Sequence, residues 1–208
     1  MRAPTLLPAR LPAHMLAPVV AALAAIGVTP AMVTVAGLLG NVVAAALVAS
    51  GALVAGGVVL LLASGLDLLD GALARATGKA SPFGALFDSV LDRLSESAVL
   101  FGVAYYALDR GHRDLALLAF AAVVGSLMVS YVRARAEGLG VTLTEGLFRR
   151  QERVVLMAAG LILPLLRGAL WLLAVLSLLT ALQRLVLASR ALLQEGGSGA
   201  AGGRKGGR

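Results

Sequence analysis

Acidic residues are concentrated in one short part of this chain, between positions 67 and 92. Asp67 and Asp70 are three positions apart and Asp88 and Asp92 are four apart, so each pair shares one face of a helix. Carboxylate oxygens are the ligands that Mg²⁺ and Mn²⁺ prefer, and a cation relieves the repulsion among converging acids. The spacing therefore predicts a metal site built by two neighbouring helices.

Small residues are interleaved with these acids. Gly71 and Ala74 follow Asp70 on its helix, and Gly84 precedes Asp88 by four positions. Their short side chains leave room for a ligand or another helix to approach the backbone. Arg75 lies one turn beyond Gly71, where its guanidinium can bind a phosphate that arrives with the metal.

The composition indicates the class of protein that positions these residues. The chain has 208 residues, of which 59% are hydrophobic and 14% are charged. Soluble domains are about 45–50% apolar and about 25% charged. We therefore expect an all-α integral membrane protein, in which the net charge of +7 reflects cytoplasmic loops and lipid or phosphate partners, not nucleic acid. The absence of cysteine excludes disulfides and thiolate metal sites.

The apolar runs predict six transmembrane helices that follow an N-terminal interfacial helix. We expect a lead and the interfacial helix in 1–30, a membrane domain in 31–190 and a disordered Gly-rich basic tail in 191–208. A signal peptide is the alternative for the first apolar run, but another hydrophobic span follows at once. The expected spans are 31–50, 52–75, 84–108, 115–136, 153–167 and 169–190.

The distribution of basic residues predicts the orientation. With six spans, most of the 18 lysines and arginines fall on one side, and the other side holds only Arg110, Arg113 and Arg167. The positive-inside rule then places both termini and the acidic turn in the cytoplasm, with the plasma membrane as the expected location.

The acidic segment resembles the signature of the CDP-alcohol phosphotransferase family. That signature is D-x2-D-G-x2-A-R-x8-G-x3-D-x3-D, and residues 67–92 keep every spacing. The resemblance implies an enzyme that transfers a phosphatidyl group from a CDP-linked lipid, CDP-diacylglycerol or CDP-archaeol, to an alcohol and releases CMP. It also implies a homodimer.

The same resemblance implies roles for individual residues. Asp67, Asp70 and Asp88 would hold two Mg²⁺ or Mn²⁺ ions, and Asp92 would share the second ion and act as general base. For Thr34 an ordinary position at the start of a helix is an equal alternative. The residues implied in binding the CDP-lipid are Gly71, Arg75, Ser81 and Thr34.

Two shorter motifs bear on the acceptor alcohol. The segments "SYVRARAE" at 130–137 and "RQER" at 150–153 are similar to the phosphatidylinositol-phosphate synthase branch of the family and its archaeal ether-lipid relatives. That resemblance implies inositol 1-phosphate as acceptor, with glycerol 3-phosphate as the main rival. Its phosphate would be held by Arg133, Arg153 and Arg184, each within or beside an apolar helix where a charge needs a partner.

Glu96 and the distribution of acids complete the interpretation. Glu96 lies one turn past Asp92, and we expect it to pair with a nearby cation and support the site. A divalent-cation carrier or channel is an alternative function, since carboxylates in the membrane also mark ion pathways. The acids, however, cluster at one face, and no acid lies at mid-depth in the last three expected spans.

Overall fold

The computed structural model describes residues 13–143, 146 and 148–202, with side chains described for 16–143, 146 and 148–194. Within these ranges every regular element is an α-helix. The helices are α1 (Ala13–Ala25), α2 (Pro30–Ala49), α3 (Leu53–Ala76), α4 (Pro82–Asp109), α5 (Arg113–Glu137), α6 (Arg150–Ile162) and α7 (Leu166–Gly202).

Each expected span coincides with one helix, but the helices differ in their fitness to cross a bilayer. In the described part of the chain, four are long and apolar enough, namely α2, α3, α5 and α7 over Leu166–Gln194. α4 has 28 residues but carries four charged side chains between positions 88 and 96. α6 has 13 residues and is about 20 Å long, less than the hydrocarbon core of about 30 Å. The six-span expectation is therefore supported for four helices.

The surface of the molecule is strongly apolar, as expected of a membrane protein. Large hydrophobic side chains are widely exposed, among them Leu62 at 69%, Phe101 at 72% and Leu117 at 70%. A soluble monomer rarely exposes large continuous apolar patches. These exposed side chains are suited to contact lipid tails. The same helices also contribute the side chains of the buried core.

The bundle is organised around α2, which packs against both α3 and α4. Further packed pairs are α3 with α6, α4 with α5, α5 and α6 with α7, and α1 with α3. Small residues allow close approach: a Cβ added to Gly102 of α4 would lie 2.4 Å from the carbonyl oxygen of Ala45 in α2. The fully buried core includes Ala44, Val103 and Leu170.

A tight turn joins the two acidic helices. Gly78 has a φ of +65°, a conformation that favours glycine, and it follows the end of α3. Ser81 then caps α4, because its Oγ accepts a 3.1 Å hydrogen bond from the backbone N–H of Gly84, and Pro82 occupies the first helical turn. α3 and α4 do not form one of the closely packed helix pairs in the described ranges, since each packs on α2 instead. The expected direct neighbours are thus separated, and a cavity lies between their ends.

The last helix is longer than expected from the sequence. α7 continues to Gly202, inside the segment for which the sequence predicts a disordered tail. A helix that already exists can continue through glycine, because each glycine costs only about 1 kcal/mol relative to alanine. The rest of the expected tail, 203–208, lies outside the described residues.

Candidate active site

The four signature aspartates lie near one another at one end of α3 and α4. Each of the carboxyl groups of Asp67, Asp70, Asp88 and Asp92 interacts electrostatically with the other three. Asp70 is only 5% exposed, and its Oδ2 accepts a 2.8 Å hydrogen bond from the hydroxyl of Thr34 in α2. The acidic faces of the two helices therefore converge, as the spacing of the residues predicts.

Arg150 joins the two acidic helices. Its Nη2 lies 2.7 Å from Asp67 Oδ2, and its Nη1 lies 2.8 Å from Asp92 Oδ1. The first contact is an ion pair without hydrogen-bond alignment, since Asp67 Oδ2 remains without a hydrogen-bond partner. One guanidinium from the start of α6 thus neutralises part of the acid cluster.

The residues present suit a divalent cation by type, although they are not arranged as a ready-made cage. Asp67 Oδ2 and Asp88 Oδ1 are buried without hydrogen-bond partners, as oxygens intended for a ligand would be. Among the described residues, however, no three acidic or histidine side chains are already disposed around a common metal position. The donor set fits a hard cation, provided that side chains now paired with Arg150 reorient.

A cavity of about 350 Å³ opens between the N-terminal end of α2 and the ends of α3 and α4. All the residues that the sequence assigned to the CDP-lipid line it, together with two of the signature aspartates. Lys79 adds a second cation beside Arg75. The lining residues named by the sequence analysis are Thr34, Asp70, Gly71, Arg75, Ser81 and Asp88.

A second cavity, of about 300 Å³, is lined mostly by arginines. It contains the three arginines expected to hold the acceptor phosphate, along with others that the sequence analysis did not assign to the site. Val129, Ser130, Phe148 and Gln151 complete the lining. The arginines are Arg93, Arg133, Arg149, Arg150, Arg153 and Arg184.

Arg153 is held rigidly. It is 3% exposed, and it forms a two-point ion pair with Glu96 through Nε–Oε1 at 2.6 Å and Nη2–Oε2 at 2.9 Å. Its Nη1 also donates to the carbonyl oxygen of Phe148 at 3.4 Å. The expectation that Glu96 pairs with a nearby cation is confirmed. Three of the five N–H groups of Arg153 are thus engaged, and two remain for the cavity that it lines.

Arg133 and Arg184 approach the second cavity from α5 and α7. Arg133 is exposed and pairs with Glu137 at 2.8 Å on the surface. Arg184 is buried, and its Nη1 donates to the carbonyl oxygen of Val129 at 2.9 Å. A Cβ added to Gly146 would lie 2.7 Å from Arg184 Nη2, so the backbone of Gly146 lies directly against this guanidinium.

Sequence reasoning missed three arginines of this cavity, of which Arg150 is the most consequential. The other two are Arg93 and Arg149, which line the cavity beside Arg150. The available signal was the "RQER" motif itself, because Arg150 and Arg153 are three positions apart and share a helix face. Which acids Arg150 meets depends on the packing of α6 against α3, which local sequence does not specify.

Comparison with known proteins decides the family. The model of the CDP-alcohol phosphatidyltransferase family matches residues 27–187. The chain belongs to this family. The matched range includes the whole of α2 through α6, both cavities and all the signature aspartates. Family membership makes the protein a membrane enzyme that depends on a divalent metal, and the expected CDP-alcohol phosphotransferase family is confirmed.

Similar members of the family have related names. The archaetidylinositol phosphate synthase of Pyrococcus horikoshii is 39% identical over 171 residues, covering 82% of this chain and 88% of that protein. A crystal structure of Mycobacterium tuberculosis phosphatidylinositol phosphate synthase with CDP-DAG bound has a TM-score of 0.79 at 34% identity, covering 84% of this chain and 94% of that one. The same enzyme in complex with manganese and citrate has a TM-score of 0.76 at 34% identity, with 83% and 88% covered.

Proposed function

We propose that this CDP-alcohol phosphatidyltransferase transfers a phosphatidyl group from CDP-diacylglycerol to the hydroxyl of inositol 1-phosphate, releasing CMP and forming phosphatidylinositol phosphate. The observation that carries the proposal is the position of the acid cluster between two cavities. Asp70 and Asp88 line the first cavity, while Asp67 and Asp92 contact Arg150, which lines the second. A donor in the first cavity and an acceptor in the second would therefore meet at the acids.

The first cavity suits the CDP part of the donor lipid. Arg75 and Lys79 supply positive charge for a diphosphate, and the hydroxyl of Ser81 can donate a hydrogen bond while its oxygen caps α4. Gly71 has open space beside it except for Arg75 Nη1, which a Cβ would meet at 3.4 Å. The nucleotide can therefore approach the backbone of α3. A relative crystallised with CDP-DAG supports this choice of donor.

The acids supply the chemistry. Two divalent cations, Mg²⁺ or Mn²⁺, held by Asp67, Asp70, Asp88 and Asp92 would polarise the diphosphate and stabilise the developing negative charge. Asp92 takes the proton of the attacking hydroxyl as general base. The hydroxyl oxygen then forms a bond to the phosphorus of the phosphatidyl group, and the bond from that phosphorus to the CMP oxygen breaks. Thr34 keeps Asp70 oriented through its 2.8 Å hydrogen bond.

The second cavity suits a phosphorylated acceptor. Guanidinium groups bind phosphate by paired, charge-assisted hydrogen bonds, and this cavity is lined by several of them. Arg133 of α5 and Arg184 of α7 contribute charge to the lining, which also includes Arg153, held by its pair with Glu96. Free inositol, which has no phosphate, would leave these cations without an anionic partner. The names of the similar proteins support inositol phosphate as the acceptor.

The arrangement in the membrane is also proposed. α4 and α6 complete six spans with the four apolar helices, α6 as a short crossing, and α1 lies along the interface. Both termini and the two cavities then face the cytoplasm of the plasma membrane, in agreement with the distribution of lysine and arginine. We further propose a homodimer and, because one similar protein is an archaetidylinositol phosphate synthase, an ability to accept CDP-archaeol.

One assay tests the proposed reaction. Purified protein with Mn²⁺ or Mg²⁺ should release CMP from CDP-diacylglycerol when inositol 1-phosphate is added, and EDTA should abolish the release. Free inositol and serine should give far less CMP. Asp92→Asn should lose at least about 100-fold in kcat, the usual contribution of a general base. Normal turnover by this variant would remove Asp92 from its proposed role.

Glycerol 3-phosphate is the second candidate acceptor, because a cavity lined by arginines recognises phosphate more directly than it recognises the alcohol. A higher kcat/KM for glycerol 3-phosphate than for inositol 1-phosphate would favour phosphatidylglycerophosphate synthesis. A cation carrier is disfavoured by family membership. Flux of Mn²⁺ into sealed proteoliposomes without CMP formation would instead support a cation carrier.

A further inference from the structure

Arg150 occupies a position shared by the acid cluster and the arginine-lined cavity. Its two terminal nitrogens contact Asp67 and Asp92, which belong to different helices and to different pairs of the signature. The same side chain lines the arginine cavity and a small cavity of about 20 Å³ next to Glu96 and Arg153. A long, flexible side chain at the first residue of α6 can therefore reach either environment.

The contacts of Arg150 with the acids are strong in charge but incomplete in hydrogen bonding. Its Nε is buried without a hydrogen-bond partner, and so is the Oδ2 of Asp67 that faces its Nη2. Buried donors and acceptors without partners are costly. The guanidinium serves here as a counter-ion for two carboxylates, and its hydrogen-bonding capacity is not fully used.

The proposed metal ions need the same carboxylates. Asp67 and Asp92 are both in the acid set, yet no metal position is already surrounded by acids within the described ranges. Divalent cations beside a guanidinium would repel it, because like charges at short distance in a low-dielectric site interact strongly. Occupation of the acids by Arg150 and occupation by the cations therefore compete.

We propose that Arg150 is a positioning residue that competes with the divalent cations for Asp67 and Asp92 and, when they bind, turns into the arginine-lined cavity to complete the acceptor phosphate site. The inference rests on the proposed function, which supplies the cations and the phosphorylated acceptor. It goes further by making the two ligand sites interdependent. Because Glu96 and Phe148 engage three of the five N–H groups of Arg153, the released Arg150 adds donors beyond the two that Arg153 retains.

Thermodynamic linkage gives the proposal a measurable consequence. If cation binding sends Arg150 to the phosphate site, phosphate binding must in turn make the acids more available to cations, by the same factor. Such couplings are typically about 5- to 150-fold. The acceptor phosphate and the metal should therefore bind with positive cooperativity in the wild-type protein, and without it when residue 150 cannot exchange between the two sites.

The experiment measures Mn²⁺ binding, with no turnover required. The free Mn²⁺ signal in electron paramagnetic resonance is followed during titration of the full chain in detergent, with and without inositol 1-phosphate. Arg150→Gln should bind Mn²⁺ about tenfold more tightly than wild type and lose the tightening by inositol 1-phosphate. Arg135→Gln removes a nearby cation that is exposed and does not line this cavity, so it is the matched control and should keep both properties.

Other results overturn the proposal. Weaker Mn²⁺ binding by Arg150→Gln would mean that Arg150 orients the carboxylates for the metal, and unchanged binding would mean that it does not compete. Arg150→Lys keeps the charge but cannot bridge two carboxylates in the same way, so it should bind Mn²⁺ more tightly than wild type by a smaller factor. If Arg150→Gln is not monodisperse on gel filtration, the test uses Arg150→Lys instead. Mn²⁺ binding by Arg150→Lys that is equal to or weaker than that of wild type would then overturn the proposal.

The failure of this inference can be distinguished from the failure of the proposed function. If wild type releases CMP while Arg150→Gln binds Mn²⁺ as wild type does, the reaction stands and the competition does not occur. If wild type binds Mn²⁺ cooperatively with inositol 1-phosphate but releases no CMP, the competition stands and the proposed reaction is wrong.

Discussion

Arg153 and Glu96 form a two-point ion pair inside the bundle, with distances of 2.6 and 2.9 Å between their paired atoms. The pair joins α6 to α4, two helices that are not closely packed with each other in the described part of the chain. It thereby fixes one wall of the arginine-lined cavity relative to the acidic helix.

Removal of the Glu96 charge should therefore be costly. Glu96→Gln leaves the buried guanidinium of Arg153 without a counter-ion, which typically destabilises by about 3–5 kcal/mol. Glu137→Gln is the matched control, since it breaks an exposed pair with Arg133 that is worth at most about 1 kcal/mol. Thermal unfolding in detergent should show a fall of several degrees for the first variant and almost none for the second. Equal melting temperatures would contradict a structural role for the buried pair.

The hydrogen bond from Thr34 to Asp70 gives a second prediction. The Thr34 hydroxyl lies 2.8 Å from Asp70 Oδ2 and 3.0 Å from the carbonyl oxygen of Pro30, and its single proton favours the charged acceptor. Thr34→Val keeps the shape and removes the donor, so Mn²⁺ affinity should fall about 10- to 100-fold, as for other groups that orient metal ligands. Thr34→Ser should retain most of the affinity. Identical Mn²⁺ titrations for these two variants would show that the hydroxyl has no such role.

Sequence reasoning located the acidic site because its parts are local. Asp67 and Asp92 lie within one helix–turn–helix segment, so helical spacing, Gly78 and the Ser81 cap predict that the acidic faces converge, while α2, on which both helices pack, sets their separation. The residues of the first cavity come largely from this same segment, with Thr34 added from α2. A signature confined to 26 successive positions is therefore sufficient to predict it.

Long-range pairings were beyond the same reasoning. Arg150 could be recognised as basic and near the membrane, but its contact with Asp67 depends on how α6 packs against α3. Likewise the sequence could not show that α3 and α4 would be held apart by α2. The end of α6 at Ile162, before the expected limit of its span, reflects the turn that contains Pro164, where a helix loses a backbone donor.

Gly37 provides a test of the site's geometry that leaves the fold intact. A Cβ at Gly37 would lie 2.9 Å from Asp67 Oδ1, the end of a flexible side chain, so the aspartate must turn while the backbone need not move. Gly37→Ala should therefore unfold at or above the wild-type temperature, since alanine is the better helix former by about 0.5–1 kcal/mol. CMP release should nonetheless fall at least about tenfold, through a misplaced metal ligand.

Gly65→Ala is the control for this substitution. Gly65 lies in α3 near Asp67, and nothing lies within 4 Å of a Cβ placed there. CMP release by the Gly65→Ala variant should match that of wild type within about twofold. Full activity in Gly37→Ala, measured at saturating Mn²⁺, would mean that the position of Asp67 Oδ1 is not critical for the reaction.

Arg133 tests whether the arginine-lined cavity receives the acceptor phosphate. Arg133 lines that cavity, whereas Arg135, two positions further on, is exposed and is not part of its lining. Because a hydrogen bond to a charged group contributes about 1.5–3 kcal/mol, Arg133→Gln should raise the KM for inositol 1-phosphate about 10- to 100-fold and leave the KM for CDP-diacylglycerol unchanged. Arg133→Lys should raise this KM less, since lysine keeps the charge without the paired donors.

Initial rates of CMP release at varied concentrations of each substrate give both constants, and Arg135→Gln should reproduce the wild-type values. An equal effect of the Arg133 and Arg135 substitutions would indicate general electrostatic attraction at the membrane surface, and the cavity would then have to be abandoned as the acceptor site.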